Sequence, residues 1–417
     1  MTNALTIVPP VRPLRGTVAP PGSKSITNRA LLMAALAKGT SHIKGALKSD
    51  DTRHMAVALR AMSVIVDEPD DTTFIVTGTG QLQAPKAPLF LGNAGTATRF
   101  LTAAAALVEG PVTVTGDAHM QKRPIGPLIS AMRALGIEVE APSGCPPVTV
   151  LGRGSFDGTR VVIDAGLSSQ YVSALLMLAA GARHPIEVAL DGDVIGARGY
   201  INLTCAAMRH FGAHVEQKDS ATWLVRPGGY RPATLHVEPD ASAATYLWAA
   251  EALTQGSIDI GITSDAFTQP DAVAYNLIRQ FPFLPPVIDG SQMQDAVPTL
   301  ATLAAFNTTP VRFVGIANLR VKECDRITAM ATELSRLYPR LAVEEGDDLV
   351  VTPASVESFS GACIQTYSDH RIAMSLALAG LRVSGVTILD PSCVGKTYPG
   401  YWKDMAALGV SMKHVSA

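Results

Sequence analysis

Seven cations stand at or beside the starts of apolar, helix-forming runs in this chain: Lys24, Arg29, Arg123, Lys322, Arg326, Arg371 and Lys396. Their segments are PGSKSITNR (Pro21–Arg29), KRPIG (Lys122–Gly126), NLRVKECDR (Asn318–Arg326), SDHR (Ser368–Arg371) and GKTYPGYW (Gly395–Trp402). The first turn of a helix leaves backbone N–H groups without intrahelical partners, so a cation beside it adds to a ready-made anion site. Arginine forks grip carboxylate and phosphate bidentately, and lysine supplies a point charge. If folding gathers these segments, a chain with a formal net charge of only −2 holds one strongly positive pocket. The implied ligand is small and multiply anionic. PGSKS is not a phosphate loop, which needs glycine directly before the lysine where this chain has Ser23.

Gathering them requires elements that recur in one orientation. Polar-start, apolar-body segments begin near Ser25, Thr96, Ser169, Ala241, Ala296 and His370, at steps of 71, 73, 72, 55 and 74 residues. In the first of these, Ser25 or Thr27 is placed to cap the helix and Gly39 to stop it. A second helix follows in each of the first three units, in ALRAMSVIVD, AMRALGIEVE and AMRHFGAHVE. Short β-branched runs lie between them, at 112–115, 161–163, 186–189, 311–314 and 386–389. Each unit of about 70 residues therefore predicts two helices and several strands. The short fourth step predicts a trimmed β element between Gly261 and Asp295. Proline-rich crossings near Pro20 and at 227–239 divide the six units into two similar domains, 21–238 and 1–20 plus 239–417. The N-terminal strand then belongs to the second domain, and the cleft between the two is the expected site.

Composition excludes several classes. The near-zero charge, with no basic-aromatic interleaving, argues against nucleic acid and anionic membranes as partners. The five dispersed cysteines form no C-x-x-C pair, which points to a reducing compartment and away from zinc. No apolar run reaches the length of a membrane span, and residues 1–16 lack a signal-peptide core. A cytoplasmic α/β protein is expected.

PGSKSITNRALLMAAL, LGNAGTATRFL, RPIG, SSQY, NLRVKECDR, DHRIAM and GKTYPGYW together resemble the 5-enolpyruvylshikimate-3-phosphate synthase family (3-phosphoshikimate 1-carboxyvinyltransferases). The resemblance runs from about Pro21 to Trp402. It implies an α/β (α+β) fold of two similar domains, each of three βαβαββ units around a pseudo-threefold axis, an inside-out α/β barrel. It also implies transfer of the enolpyruvyl group of phosphoenolpyruvate to the 5-hydroxyl of shikimate 3-phosphate, by a monomer without cofactor or metal.

By the same resemblance Lys24 touches both substrates, and so does Gln170. Ser25, Arg29, Ser168, Ser169, Asp295, Asn318 and Lys322 are expected on shikimate 3-phosphate. Gly95, Arg123, Arg326, Arg371 and Lys396 are expected on phosphoenolpyruvate, Gly95 because a missing Cβ lets the ligand approach the backbone. Glycine there also implies inhibition by glyphosate in competition with phosphoenolpyruvate. The chemistry needs a base for the hydroxyl and an acid for the methylene carbon, and Asp295, Glu323 and Lys24 are the candidates. Taken by spacing alone, Glu323 is an (i, i+3) partner of Arg326 on one helical face, and Ser168 and Ser169 are N-caps.

Three positions depart from the family pattern. Gly196-Ala197-Arg198-Gly199 lacks a serine often found before the tyrosine matching Tyr200, Phe100 replaces a frequent proline, and Gln269-Pro270-Asp271 replaces QGD. The sister family acting on UDP-N-acetylglucosamine commonly carries cysteine in the loop matching 116–126, which here reads GDAHMQKRPIG.

Overall fold

Helices begin at Lys24, Gly95, Ser169, Ala241, Val297 and His370, each within one residue of the start expected from sequence. They are seen in a computed structural model that describes residues 3–166, 168–192 and 196–416. The chain forms two units, Gly22–Glu238 and Met1–Pro21 joined with Pro239–Ala417. Each has its own apolar core.

In the Gly22–Glu238 unit, Leu89–Phe90 runs parallel to Glu109–Thr115, which pairs antiparallel with Val148–Arg153, and that strand pairs antiparallel with Glu138–Glu140. A second sheet repeats this order with Arg160–Asp164, Ile186–Asp191, Thr222–Arg226 and His214–Gln217. The third takes its leading strand from the far end of the unit: Thr234–His236 lies parallel to Lys38–Lys44, followed by Thr73–Thr79 and Ile65–Asp70. With the helices between them, each sheet is one βαβαββ repeat.

The other unit follows the same plan. Val287–Asp289, Val311–Val314, Asp348–Val351 and Ala342–Glu345 form one sheet. Cys363–Ile364, Thr387–Leu389, Asn3–Val8 and Ser411–Ser416 form another, with the N-terminal strand in a hairpin position. The remaining sheet is a parallel pair, Ser257–Asp259 with Arg15–Thr17, and it lacks the antiparallel hairpin. The chain instead makes short turns and the one-turn helix Ala274–Ile278. That accounts for the short fourth step.

The first helix of each repeat is interior. Every residue from Ile26 to Leu36 is buried, as is all of Gly95–Ala104 and all of Ser169–Ala179 except Gln170. Beyond their polar starts these helices are apolar on nearly every side and must be enclosed, and their alanines allow close approach. The second helices, Asp50–Ala61, Gly126–Ala134 and Gly199–His210, bury one side only. Alternating burial along Thr73–Thr79 shows a sheet with one face to solvent. Helices lie inside and sheets outside, the inside-out arrangement. No helix among the described residues is long and apolar enough to cross a membrane.

The caps of the first helix differ from expectation. Ser23, not Ser25 or Thr27, is the N-cap, its hydroxyl accepting from Ile26 N–H. Thr27 Oγ1 turns back to the Ser23 carbonyl at 2.8 Å and accepts from Leu47 N–H. The helix ends at Leu36, and Gly39 lies in the next strand at φ +126°, where a Cβ would meet Pro232. A left-handed glycine fits a strand bend as well as a helix stop, so its type alone did not decide.

Candidate active site

Within the Gly22–Glu238 unit, Lys24 is the first residue of its helix, and its Nζ lies 3.6 Å from Asp51 Oδ2, both side chains largely buried. Arg29, one turn on, is fully enclosed. It donates to Thr204 Oγ1 at 2.7 Å, the Ser25 carbonyl at 2.9 Å, Ser173 Oγ at 3.1 Å and the Tyr200 carbonyl at 3.5 Å. None of these acceptors is anionic. Burial accordingly pulls the guanidinium down to about 10 from 12.5. Phe100 supplies an aromatic face 5.1 Å from Arg29 Cζ, so this departure from the family pattern rests against the shikimate-phosphate candidate.

Gly95 opens the second interior helix beneath two arginines. A Cβ there would lie 2.4 Å from Arg99 Nη1 and 2.9 Å from Arg123 Nη2. Arg123 Nη1 donates to Asn93 Oδ1 at 3.0 Å, and Tyr171 Oη donates to the Pro124 carbonyl at 2.7 Å, tying this loop to the third interior helix. At the start of that helix Ser168 is the N-cap, accepting from Gln170 N–H, and Ser169 is the first helical residue. Gln170 Nε2 reaches Thr96 Oγ1 at 3.4 Å. Gly95, Arg123 and Gln170 thus stand together.

The Pro239–Ala417 part of the other unit holds a buried network of alternating charge. Arg326 donates to Asp295 Oδ1 at 3.0 Å, to Glu323 Oε2 at 2.7 Å and to Asp369 Oδ2 at 2.8 Å. Arg371 Nη2 donates to the other Asp295 oxygen at 2.7 Å, and Nη1 reaches Tyr246 Oη at 3.3 Å. Lys396 Nζ lies 2.9 Å from Glu323 Oε1. Asn318 donates to Gln294 beside Asp295, and Lys322 is half-buried on the segment leading to Arg326. Burial works against the charge on both arginines. Asp369, Glu323 and Asp295 outweigh it at Arg326, Asp295 and Tyr246 lead the same effect at Arg371, and both are raised above the usual arginine range. Burial pushes the Tyr246 phenol up to about 12, against the pull of Arg371.

Sequence reasoning placed Glu323 and Arg326 on one helical face, but the helix begins at Arg326 with Asp325 as N-cap. Glu323 approaches from the preceding loop, which leaves its second oxygen for Lys396. The largest omission was Asp369. It was visible only as the Asp of SDHR, a plain helix cap, and it does cap Arg371 N–H at 2.8 Å while holding Arg326. Asp51 as the partner of Lys24 and Asn93 as the partner of Arg123 were likewise missed, and Arg99, which by sequence either joins the cations or braces Asp50 and Asp51, stands over Gly95. Among the departures, Arg198 donates to the Ser220 carbonyl with its Cζ 6.0 Å from the Trp223 ring. Gln269 bridges the Pro239 carbonyl, at 2.6 Å, and Ala241 N–H, bracing a helix start.

The model of the family described as EPSP synthase (3-phosphoshikimate 1-carboxyvinyltransferase) matches residues 8–281 and 285–405. A 3-phosphoshikimate 1-carboxyvinyltransferase from Rhizobium etli is 68% identical over 412 residues, covering 98% of each chain. One from Pseudomonas syringae pv. syringae is 64% identical over 411 residues, again 98% of each. The solved EPSP synthase of Acinetobacter baumannii superposes with a TM-score of 0.81 at 25% identity over 100% of both chains. With those matches spanning nearly every residue, this chain belongs to the EPSP synthase family, the 3-phosphoshikimate 1-carboxyvinyltransferases.

Proposed function

We infer that the chain transfers the enolpyruvyl group of phosphoenolpyruvate to the 5-hydroxyl of shikimate 3-phosphate, giving 5-enolpyruvylshikimate 3-phosphate and phosphate. The observation that carries this is the Arg326–Arg371–Lys396 cluster interleaved with Asp295 and Glu323. Three cations suit a phosphate and a carboxylate, and two carboxylates among them suit proton transfer. In the addition step the hydroxyl oxygen bonds to C2 of phosphoenolpyruvate, its proton passes to a base, and an acid protonates the methylene carbon. In the elimination step that carbon loses a proton and the C2–O bond to phosphate breaks. We assign Lys24, Asp295 and Glu323 to these transfers. Arg123, Arg326, Arg371 and Lys396 hold phosphoenolpyruvate with Gly95 beneath, and Lys24 and Gln170 touch both substrates. Ser25, Arg29, Ser168, Ser169, Asp295, Asn318 and Lys322 hold shikimate 3-phosphate. The protein works as a cytoplasmic monomer.

The rival acceptor is UDP-N-acetylglucosamine. Against it, residues 116–126 contain no cysteine, and Asp117 Oδ1 is engaged by His119 and Met120 N–H groups as a turn cap. Purified protein with phosphoenolpyruvate is expected to release phosphate with shikimate 3-phosphate and none with UDP-N-acetylglucosamine. The opposite selectivity would overturn the assignment.

Gly95→Ala tests the anion pocket. The added carbon displaces the Arg99 and Arg123 guanidiniums, so KM for phosphoenolpyruvate is expected to rise about tenfold, the equivalent of one charge-assisted hydrogen bond. Glyphosate is expected to inhibit the native enzyme in competition with phosphoenolpyruvate and to inhibit the variant less. Steady-state kinetics check both, and an unchanged KM would remove Gly95 from the pocket.

A further inference from the structure

Glu333 is a fully buried carboxylate that the chemistry above does not use. It lies on the Arg326–Leu337 helix, seven residues beyond Arg326 and so on the same face. Its Oε1 accepts from Tyr367 Oη at 2.7 Å, and its Oε2 accepts from Gln365 N–H at 3.0 Å and Arg336 Nε at 2.8 Å. Between those contacts and Asp369 the backbone turns through two left-handed residues, Tyr367 at φ +55° and Ser368 at φ +53°. Residues with a Cβ adopt that conformation only when their surroundings hold them there. One helix face therefore grips residues 365–369 twice, through Glu333 on Gln365 and Tyr367 and through Arg326 on Asp369. Asp369 also caps the helix that begins with His370 and Arg371.

We propose that Glu333 is a positioning residue that clamps the left-handed Tyr367–Ser368 turn, and through it sets Asp369, Arg326 and Arg371 for the phosphate and carboxylate of phosphoenolpyruvate. The proposal rests on the assignment of Arg326 and Arg371 to that substrate. Without the clamp the turn relaxes toward negative φ, Asp369 leaves the Arg326 fork, and both guanidiniums lose their aim.

Glu333→Gln removes the negative charge: the Arg336 and Gln365 contacts become neutral-acceptor bonds, and the Tyr367 hydroxyl must turn round to accept from the amide NH₂, so the clamp is weakened. KM for phosphoenolpyruvate is expected to rise about tenfold, with KM for shikimate 3-phosphate within about twofold of native. Tyr367→Phe deletes one hydroxyl and is expected to give a smaller rise in the same parameter. Adding Ser368→Gly to Glu333→Gln is expected to restore most of the affinity, because glycine takes a positive φ without steric cost. A merely structural carboxylate predicts instead a loss shared by both substrates and no rescue by glycine. Amide hydrogen exchange over residues 365–371, without substrate, reads the turn directly: faster in Glu333→Gln, slowed again in the double variant. If the native chain releases phosphate with neither acceptor, the functional assignment falls, while the exchange data still decide whether Glu333 holds the turn. Unchanged exchange and unchanged KM in Glu333→Gln would overturn the proposal.

Discussion

Arg326→Met is expected to lower the melting temperature by about 6–20 °C and to abolish turnover at phosphoenolpyruvate concentrations that saturate the native enzyme. Arg326 is 1% exposed and donates to three carboxylates, Asp295, Glu323 and Asp369, the last wholly buried. Removing it leaves Asp369 without the fork that compensates its burial. Breaking a buried pair in this way costs roughly 3–5 kcal/mol, and a unit of this size loses about 2–4 °C per kcal/mol. Arg326→Lys separates the two contributions. It keeps one charge but cannot span three acceptors, so most stability is expected to survive while KM for phosphoenolpyruvate rises more than tenfold. Calorimetry and steady-state kinetics check both variants. A melting temperature for Arg326→Met within about 2 °C of native would show that the network does not depend on this residue.

How much of this was legible before folding follows from which interactions are local. The interior helix starts fell within one residue of expectation because an apolar run ending at polar residues is a short-range signal. The trimmed fourth repeat was legible as a step of 55 residues and is a two-stranded sheet. Partners were not legible. Arg29 reads as a loop-edge cation, yet its acceptors Ser173 and Thr204 lie 144 and 175 residues away, so nothing local announces an enclosed guanidinium. Asp369 and Asp325 both look like ordinary N-caps, and both are. Only the fold shows that Asp369 also meets Arg326, while Asp325 faces Arg320 at the exposed edge. In the sequence Phe100 stands out only as the replacement of a frequent proline, with no partner indicated. Its ring packs against Arg29, because the helix from Gly95 turns that face toward the first interior helix. Glu323 was misplaced for a related reason: (i, i+3) spacing fits a loop entering a helix as readily as the helix itself.

Glu323→Gln is expected to cut kcat by about 10²–10⁴, the usual worth of a positioned acid or base, while KM for phosphoenolpyruvate changes far less. The candidates differ in what touches them. Both oxygens of Asp295 face arginines, Arg326 at 3.0 Å and Arg371 at 2.7 Å. Guanidiniums stay protonated at working pH, so they hold Asp295 in place and pass no proton to it. Glu323 has one such anchor, Arg326, and its other oxygen lies 2.9 Å from the Lys396 ammonium. An ammonium can give up and recover a proton, so on the proposed assignment Glu323 and Lys396 together are the path by which the methylene carbon is expected to be protonated and later deprotonated. Asp295 is better placed to accept from the hydroxyl while remaining fixed between its arginines. Incorporation of solvent deuterium into the methylene group distinguishes the two. Glu323→Gln should slow exchange in step with turnover, whereas Asp295→Asn should slow addition and leave exchange from a preformed tetrahedral intermediate nearly intact. If Glu323→Gln keeps kcat within about fivefold of native, this carboxylate is an anchor for Lys396 and Arg326, and the methylene proton travels by another group.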